Sequence, residues 1–424
     1  MHKYEKRHLR VLADFRQLYD LQNPRGTENV AIATVDSLSN YTDSLIILVT
    51  AMQYNHCVDI FSKNKRITIV GEIIVGRYLE EMVRTFEFLP NKIKRVIRYL
   101  LRLAFGKIIV YEPSDWLKLM KVQAVLNPSH GFQPKFPKPT VTVAHAILST
   151  YSESETREVG ENLCKSAAVA VPWPTPFDDF KRRFPSITGK TFRIPFFTPV
   201  LDYISPDAVE LPSVILPQEY YFYPSVILER KNHRVLIEGF RLLKDAGIIR
   251  YIVFTGGGAG DLMLETDLRN LVQEYGIDEQ VMFLGSLPTS QVAYLYMNCQ
   301  ACICPSFSEA GIATIQEGLI FSKTTLCSDT PEARSHAAMY GLDLCYFDPN
   351  SAQAFVQAFH NLRCDFEFYV RSATVAGFKA RAINRDYVGQ CYLDVLAYAA
   401  GLSDIPSWFP YRNPSGESIV IAPD

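Results

Sequence analysis

The run Pro305-Ser306-Phe307-Ser308-Glu309-Ala310-Gly311-Ile312-Ala313-Thr314-Ile315-Gln316-Glu317 puts two carboxylates eight residues apart, directly after the apolar run Ala301-Cys302-Ile303-Cys304. A helix opening near Gly311 would present free N–H groups and the positive end of its dipole, a ready anion site. Glu309 then falls in the loop before that helix, and Glu317 near its second turn projects toward the same mouth. One acid beside a phosphate cradle and a second within reach of a sugar hydroxyl suit a ligand that carries both groups. The same spacing also describes two solvated acids on an ordinary strand-loop-helix unit, so the surroundings must decide.

Further upstream, Arg230 and Lys231 stand at the start of a helical pattern. Breaking an anomeric bond to a diphosphate needs the leaving charge stabilised as it develops. Lys231 supplies a mobile cation for that task, Arg230 a second one, and the helix after Glu309 supplies backbone donors. A solvated helix start is the alternative for the basic pair. The run Thr255-Gly256-Gly257-Gly258-Ala259-Gly260-Asp261 lacks the Lys-Ser/Thr ending of a P-loop and reads as a flexible loop at a cleft rim. No Asp-x-Asp pair occurs, so a metal-chelated diphosphate is unsupported and no cofactor is expected. The cluster Cys299, Cys302 and Cys304 lies in a strand with no second ligand pair, which argues against zinc.

These residues need a frame. The chain alternates β-rich runs with helical patterns, which implies βαβ units and parallel sheets, an α/β fold. Strands are expected at 11–15, 44–50, 66–70, 107–110, 141–145 and 167–171, then at 220–223, 250–255, 281–284, 301–304, 324–327 and 344–347. Helices are expected at 234–246, 262–275 and 291–298. At 424 residues the chain is too long for one core. Residues 202–218, with three prolines and weak periodicity, read as the linker between two doubly wound domains, whose strand ends face a common cleft. A net charge of -2 argues against nucleic acid as the main partner. A polar N-terminus, no apolar run near the ~20 residues of a membrane span, and nine scattered cysteines point to a reduced, cytoplasmic protein.

From Tyr220 to Leu362 the sequence resembles the donor domain of glycosyltransferase family 4 (group 1), the retaining enzymes of GT-B fold. The resemblance rests on an ordered series: Tyr221-Phe222-Tyr223-Pro224, Lys231-Asn232-His233 with Ile237-Glu238-Gly239-Phe240, Val253-Phe254-Thr255-Gly256, and Val281-Met282-Phe283-Leu284-Gly285. Leu295-Tyr296, Pro305-Ser306, the Glu309/Glu317 pair, Cys327-Ser328-Asp329-Thr330-Pro331-Glu332 and Phe347-Asp348-Pro349 complete it. The first half matches more loosely. Arg10–Leu18 with Arg25-Gly26-Thr27-Glu28-Asn29 looks like the family's opening strand and glycine loop, and Thr140–His145 like its strand ending in His-Asp, with Ala146 in place of the Asp.

The resemblance implies two Rossmann-like doubly wound domains facing across a cleft. Residues 1–205 would bind the acceptor, 206–385 the nucleotide-sugar donor, and 386–424 would pack back toward the first domain. It implies catalytic roles for Glu309, Lys231 and His145, and donor contacts from Gly26, Arg230, Gly311, Ile312, Thr314 and Glu317. Glu317 would hold the nucleotide ribose, Glu309 the sugar hydroxyls, Gly26 would let its loop approach the diphosphate, and His145 would stand on the acceptor side. A lone His at a strand end also reads as a structural residue.

Two departures stand out. Pro224-Ser225-Val226-Ile227-Leu228-Glu229 lacks the family's diphosphate-clamping arginine, and Ala310-Gly311-Ile312 replaces the usual Gly-Phe-Gly. The expected activity is transfer of a hexose from a nucleotide-diphosphate sugar to a glycan or lipid-linked acceptor, with no nucleic acid involved. A non-catalytic protein that binds a nucleotide sugar or glycan on the same fold is the alternative. Asn91–Lys107 carries Ile93, Val96, Ile97, Leu100, Leu101 and Ala104 on one helical face and Lys94, Arg95, Arg98 and Arg102 on another. It reads either as a peripheral contact with an anionic membrane or as an ordinary packed helix.

Overall fold

The computed structural model describes residues 9–15, 18, 26–42, 44–50, 53–62, 64–72, 121–128, 138–144, 151–257 and 260–408. His145 and the whole of Asn91–Lys107, together with the strand expected at 107–110, lie outside the described residues.

The described chain builds two parallel sheets. The first contains β1 (Arg10–Asp14), β2 (Ser44–Thr50), β3 (Ile67–Glu72), β4 (Ala124–Asn127), β5 (Thr140–Val143), β6 (Ala168–Val171) and β7 (Thr191–Arg193), in the order β3-β2-β1-β4-β5-β6-β7. The second contains β8 (Tyr221–Pro224), β9 (Ile252–Thr255), β10 (Val281–Phe283), β11 (Ala301–Cys304), β12 (Thr325–Ser328) and β13 (Cys345–Phe347), in the order β10-β9-β8-β11-β12-β13. Both orders reverse beside their first strand, between β1 and β4 and between β8 and β11. That reversal leaves a crevice at the strand C-termini, where open α/β sheets bind ligands.

Strands such as Ala301-Cys302-Ile303-Cys304 and Ile252-Val253-Phe254-Thr255 are buried at every position. Helices cover both faces, so near-continuous apolar runs replace alternation. Around the first sheet lie α1 (Gly26–Ser39), α2 (Tyr54–Phe61), α3 (Glu153–Lys165) and α4 (Pro174–Arg183). Around the second lie α5 (His233–Asp245), α6 (Leu262–Glu274), α7 (Thr289–Asn298), α8 (Ala313–Ile320), α9 (Pro331–Tyr340), α10 (Ala352–Cys364) and α11 (Phe366–Ala382). Helix α5 buries Val235, Leu236, Phe240 and Leu243 at helical spacing, and Phe240 stacks on Phe355 of α10 at 6.0 Å. The last described helix, α12 (Arg385–Ala399), leaves the second sheet and packs on α1, β4, β5 and β6 of the first. Arg385 at its start pairs with Asp36 of α1 and Asp202.

Most expected strands fall within a residue or two of place. Two were not anticipated: β4 and the three-residue β7. β4 is four residues cut off by Asn127-Pro128, and β7 lies between Gly189-Lys190 and Pro195. Neither run is long enough to establish a period. One short 3-10 turn, Pro199–Tyr203, runs into the expected linker, and a second, Pro206–Ala208, lies within it. Gly26 is the first residue of α1, where the sequence reading had it in the preceding loop. Among the described residues no helix is long and apolar enough to cross a membrane.

Candidate active site

The chemistry-bearing residues of the second sheet collect at its switch point, on the loops after β8 and β11. The β8–α5 loop ends in a 3-10 turn, Glu229–Lys231, followed by Asn232 in the left-handed region at φ 53°. That conformation is tolerable for asparagine and is fixed from outside. Asn232 Nδ2 donates to the carbonyls of Pro305 at 3.1 Å and Pro349 at 2.8 Å. The Phe307 amide donates to the Arg230 carbonyl at 2.9 Å, so the two loops are stitched backbone to backbone. Tyr223 of β8 donates to the Lys231 carbonyl at 3.0 Å and lies 3.1 Å from the Ser306 hydroxyl.

These ties bring Glu309 between two cations. Arg230 Nη1 lies 3.0 Å from Glu309 Oε2, and Lys231 Nζ bonds Oε1. The Glu309 side chain is 9% exposed, Lys231 17% and Arg230 41%. Pairing with a buried acid draws Lys231 in from solvent, against the alternative of a solvated helix start. Burial pushes the Glu309 carboxyl up, but Lys231, Arg230 and hydrogen bonds from Lys231 and Ser306 outweigh it and hold the group below its ordinary value. Two cations against one carboxylate leave a net positive charge at the crevice. His233 does not add to it, because burial and the neighbouring Lys231 push its imidazole down to about 3.

Helix α8 starts at Ala313, two residues later than expected, with Ile312 in the capping position. Its mouth is not open. A Cβ on Gly311 would stand 1.9 Å from the Trp173 ring, so glycine is required for this approach. Trp173 belongs to the first sheet's side, capping α4 just after β6. The Ile312 amide, expected as a phosphate donor, donates instead to His336 Nδ1 on α9 at 3.1 Å. Thr314 is buried in the first turn of α8.

Glu317 has partners of its own. It lies part-buried further along α8, accepting from the Thr198 hydroxyl at 2.6 Å and the Tyr296 hydroxyl at 2.7 Å. Burial raises its carboxyl above the ordinary value despite those two bonds. The neighbouring Gln316 donates to the Phe196 carbonyl at 2.9 Å, so the segment entering the linker grips α8. The sequence reading missed Trp173, Thr198 and His336 as neighbours of this loop, because contacts between residues far apart in the chain leave no local pattern. Tyr296 did stand within the resemblance, without an assigned role.

The glycine-rich loop is also at the switch point. Gly256 has φ 83° and its Cβ position lies 2.7 Å from the Ser225 carbonyl carbon, while the Asp261 amide donates to the Ile227 carbonyl at 2.8 Å. Its described ends are therefore packed on the β8–α5 loop. All nine cysteines are free thiols, and no group of metal-ligating side chains occurs among the described residues.

Residues 214–367 match the family model of glycosyl transferases group 1. No curated protein matches the chain in sequence. The fold is that of GT-B glycosyltransferases of known structure. HepE from Anabaena, solved in complex with UDP and glucose, superposes with a TM-score of 0.62 at 12% identity, covering 92% of this chain and 100% of that one. A glycosyltransferase from Rickettsia africae and sucrose-phosphate synthase from Thermosynechococcus elongatus each give a TM-score of 0.64 at 15% identity, covering 93% of this chain and 100% of theirs.

Proposed function

We propose that the chain is a retaining glycosyltransferase of family 4 type that moves a hexose from a nucleotide-diphosphate sugar to a glycan or lipid-linked acceptor. The observation that carries this reading is Glu309 held between Lys231 and Arg230 at the switch point of the second sheet. The group 1 match over 214–367 and the structural likeness to a protein solved with UDP and glucose support it.

In this reading residues 206–385 hold the donor. Lys231 and Arg230 take up the diphosphate charge as the anomeric bond breaks, standing in for the absent clamping arginine. Gly311, Ile312 and Thr314 shape the loop around the sugar and phosphates, with the Ile312 amide itself held by His336. Glu309, kept ionised by its cations, accepts hydrogen bonds from sugar hydroxyls beside the reacting carbon. Glu317 accepts from the ribose, which requires Thr198 or Tyr296 to yield one of its bonds. Residues 1–205 present the acceptor, with Gly26 near the diphosphate and His145 on the acceptor side, and 386–424 tie the halves together. Retention follows from departure and attack on one face of the sugar within an ion pair. Protein cations do the work of a metal, so transfer should persist in excess chelator. The enzyme works in the cytoplasm, with Asn91–Lys107 meeting an anionic membrane when the acceptor is lipid-linked. Release from anionic liposomes by glutamine at Lys94, Arg95, Arg98 and Arg102 tests that contact.

A second reading, a non-catalytic protein that binds nucleotide sugar, is favoured by one observation: the Ile312 amide is already bonded to His336. Thermal shift against UDP-, GDP-, ADP- and dTDP-sugars identifies the donor, because a ligand of the folded state raises its apparent stability. Hydrolysis or transfer of that donor then separates the two readings. Binding without turnover selects the second, and no shift with any donor removes both.

A further inference from the structure

We infer that Trp173 and His336 form a positioning latch across the crevice, which fixes the Glu309–Ile312 loop only while the two sheets are together. Trp173 comes from the first sheet and is 5% exposed, although it sits on a connection rather than in a strand or helix interior. Its indole packs over Gly311 so closely that a methyl group could not be added there. The same ring meets the edge of His336 at 5.1 Å and Phe196 at 5.8 Å. His336, from the second sheet, accepts the Ile312 amide at Nδ1. Trp173 caps the start of α4, His336 stands in the middle of α9, and the two helices pack on each other.

The chain of contacts is therefore continuous: Trp173 to His336, His336 to the Ile312 amide, Trp173 to Gly311, and Gly311 to Glu309 two residues away. His336 acts as an acceptor because it is neutral; burial first, and Arg193 second, push its imidazole down to about 3. Its Nε2 is buried with no hydrogen-bond partner, so the ring's place rests on its Nδ1 bond and on packing against Trp173 and Tyr340. Separating the sheets would withdraw Trp173 and uncover Gly311 and His336 together. Positioning of Glu309 and closure of the crevice thus become one event. Neither ring need touch substrate for this.

The latch rests on the reading of Glu309 given above only for its kinetic consequence, and the test keeps the two apart. Amide exchange of a peptide spanning 305–316 is followed in the full chain for wild type, Trp173→Ala, Trp173→Phe, His336→Leu and His336→Asn. Trp173→Ala and His336→Leu should each speed exchange there by roughly tenfold or more, as local opening becomes easier. Trp173→Phe and His336→Asn, which keep a ring and an acceptor, should stay near wild type. Unchanged exchange in the first two, or an equal rise in His336→Asn, overturns the latch. If Trp173→Ala fails to fold, the His336→Leu and His336→Asn pair decides.

In turnover, Trp173→Ala should lower kcat by about tenfold while leaving free-nucleotide affinity nearly unchanged, and should add no further loss to Glu309→Gln, because the two act as one unit. Losses that multiply place Trp173 outside this chain of contacts and overturn the proposal. If the wild type transfers no sugar, the functional reading has failed, and the exchange result still decides the latch.

Discussion

Glu309 and Glu317 are the same residue type, eight positions apart, both drawn out of water, yet they sit in opposite electrostatic settings. Glu309 is compensated by charge: two cations face it and hold its carboxyl below the ordinary value. Glu317 is compensated by dipoles: two hydroxyls donate to it, and burial still drives its carboxyl up. The difference teaches where a polyanion can go. A diphosphate arriving at Glu309 meets cations it can share, whereas at Glu317 only a neutral hydroxyl can exchange places with Thr198 or Tyr296. In the proposed reading Glu309 faces the sugar beside the diphosphate, and Glu317 faces the ribose on its other side.

The largest effect that tests this contrast is at Lys231. Lys231→Ala should lower kcat/KM by about 10²-fold or more, the scale of one preorganised electrostatic contact. It should also destabilise the fold, since Glu309 is left buried with Arg230 alone. Turnover is therefore measured per folded molecule. Wild-type turnover in this variant would remove Lys231 from the diphosphate site.

Next come the carboxylates themselves. Glu309→Gln should weaken intact donor or its turnover by roughly tenfold or more and leave free nucleoside diphosphate binding unchanged. Glu317→Gln should weaken both ligands alike, because a ribose contact is common to them. Calorimetric titration with each ligand separates the two outcomes. Equal losses of free nucleotide in both variants would erase the proposed division between sugar end and ribose end.

The hydroxyls around Glu317 give a smaller effect on stability. Thr198→Val or Tyr296→Phe should cost about 1–3 kcal/mol at neutral pH, the scale of leaving a buried charged acceptor short of a donor. No such cost is available at Glu309, where Ser306 is a minor partner beside two cations. Urea midpoints that do not move would mean Glu317 is satisfied from elsewhere.

The same contrast explains what could be read from the sequence. The second half was legible because its signals are local: β11 is four apolar residues followed by Pro-Ser, and Lys231 and Glu309 each lie a few residues past a strand. The two-sheet α/β plan followed from the alternation of such units. What was not legible is what crosses the crevice. Trp173 stands between two prolines with nothing local to mark it, and its seat on Gly311 depends on how the sheets face each other. Likewise the Ile312 amide, just before the helix start at Ala313, is taken by His336, a contact 24 residues away in sequence. Glu317 was expected at the common mouth on helical spacing alone, and its turn toward Tyr296 and Thr198 has no signature along the chain.

The last prediction concerns pH and has the smallest expected amplitude, but its sign is decisive. Glu309 has a folded value below that of an unfolded glutamate, near 4.3. Its stabilising contribution is therefore complete above that unfolded value and is lost as pH falls through the folded one. Glu317 has a folded value above the unfolded one. Its ionised form costs the folded state nothing at low pH and progressively more as pH rises from about 4.3 through the folded value. Urea midpoints from pH 3 to 8 read both effects against wild type. The stability gap between wild type and Glu309→Gln should shrink on acidification below about pH 4. Glu317→Gln should gain on wild type as pH rises above that range. Opposite slopes mean that one carboxylate is held by charge and the other by hydroxyls, and parallel slopes would put both glutamates in one kind of site.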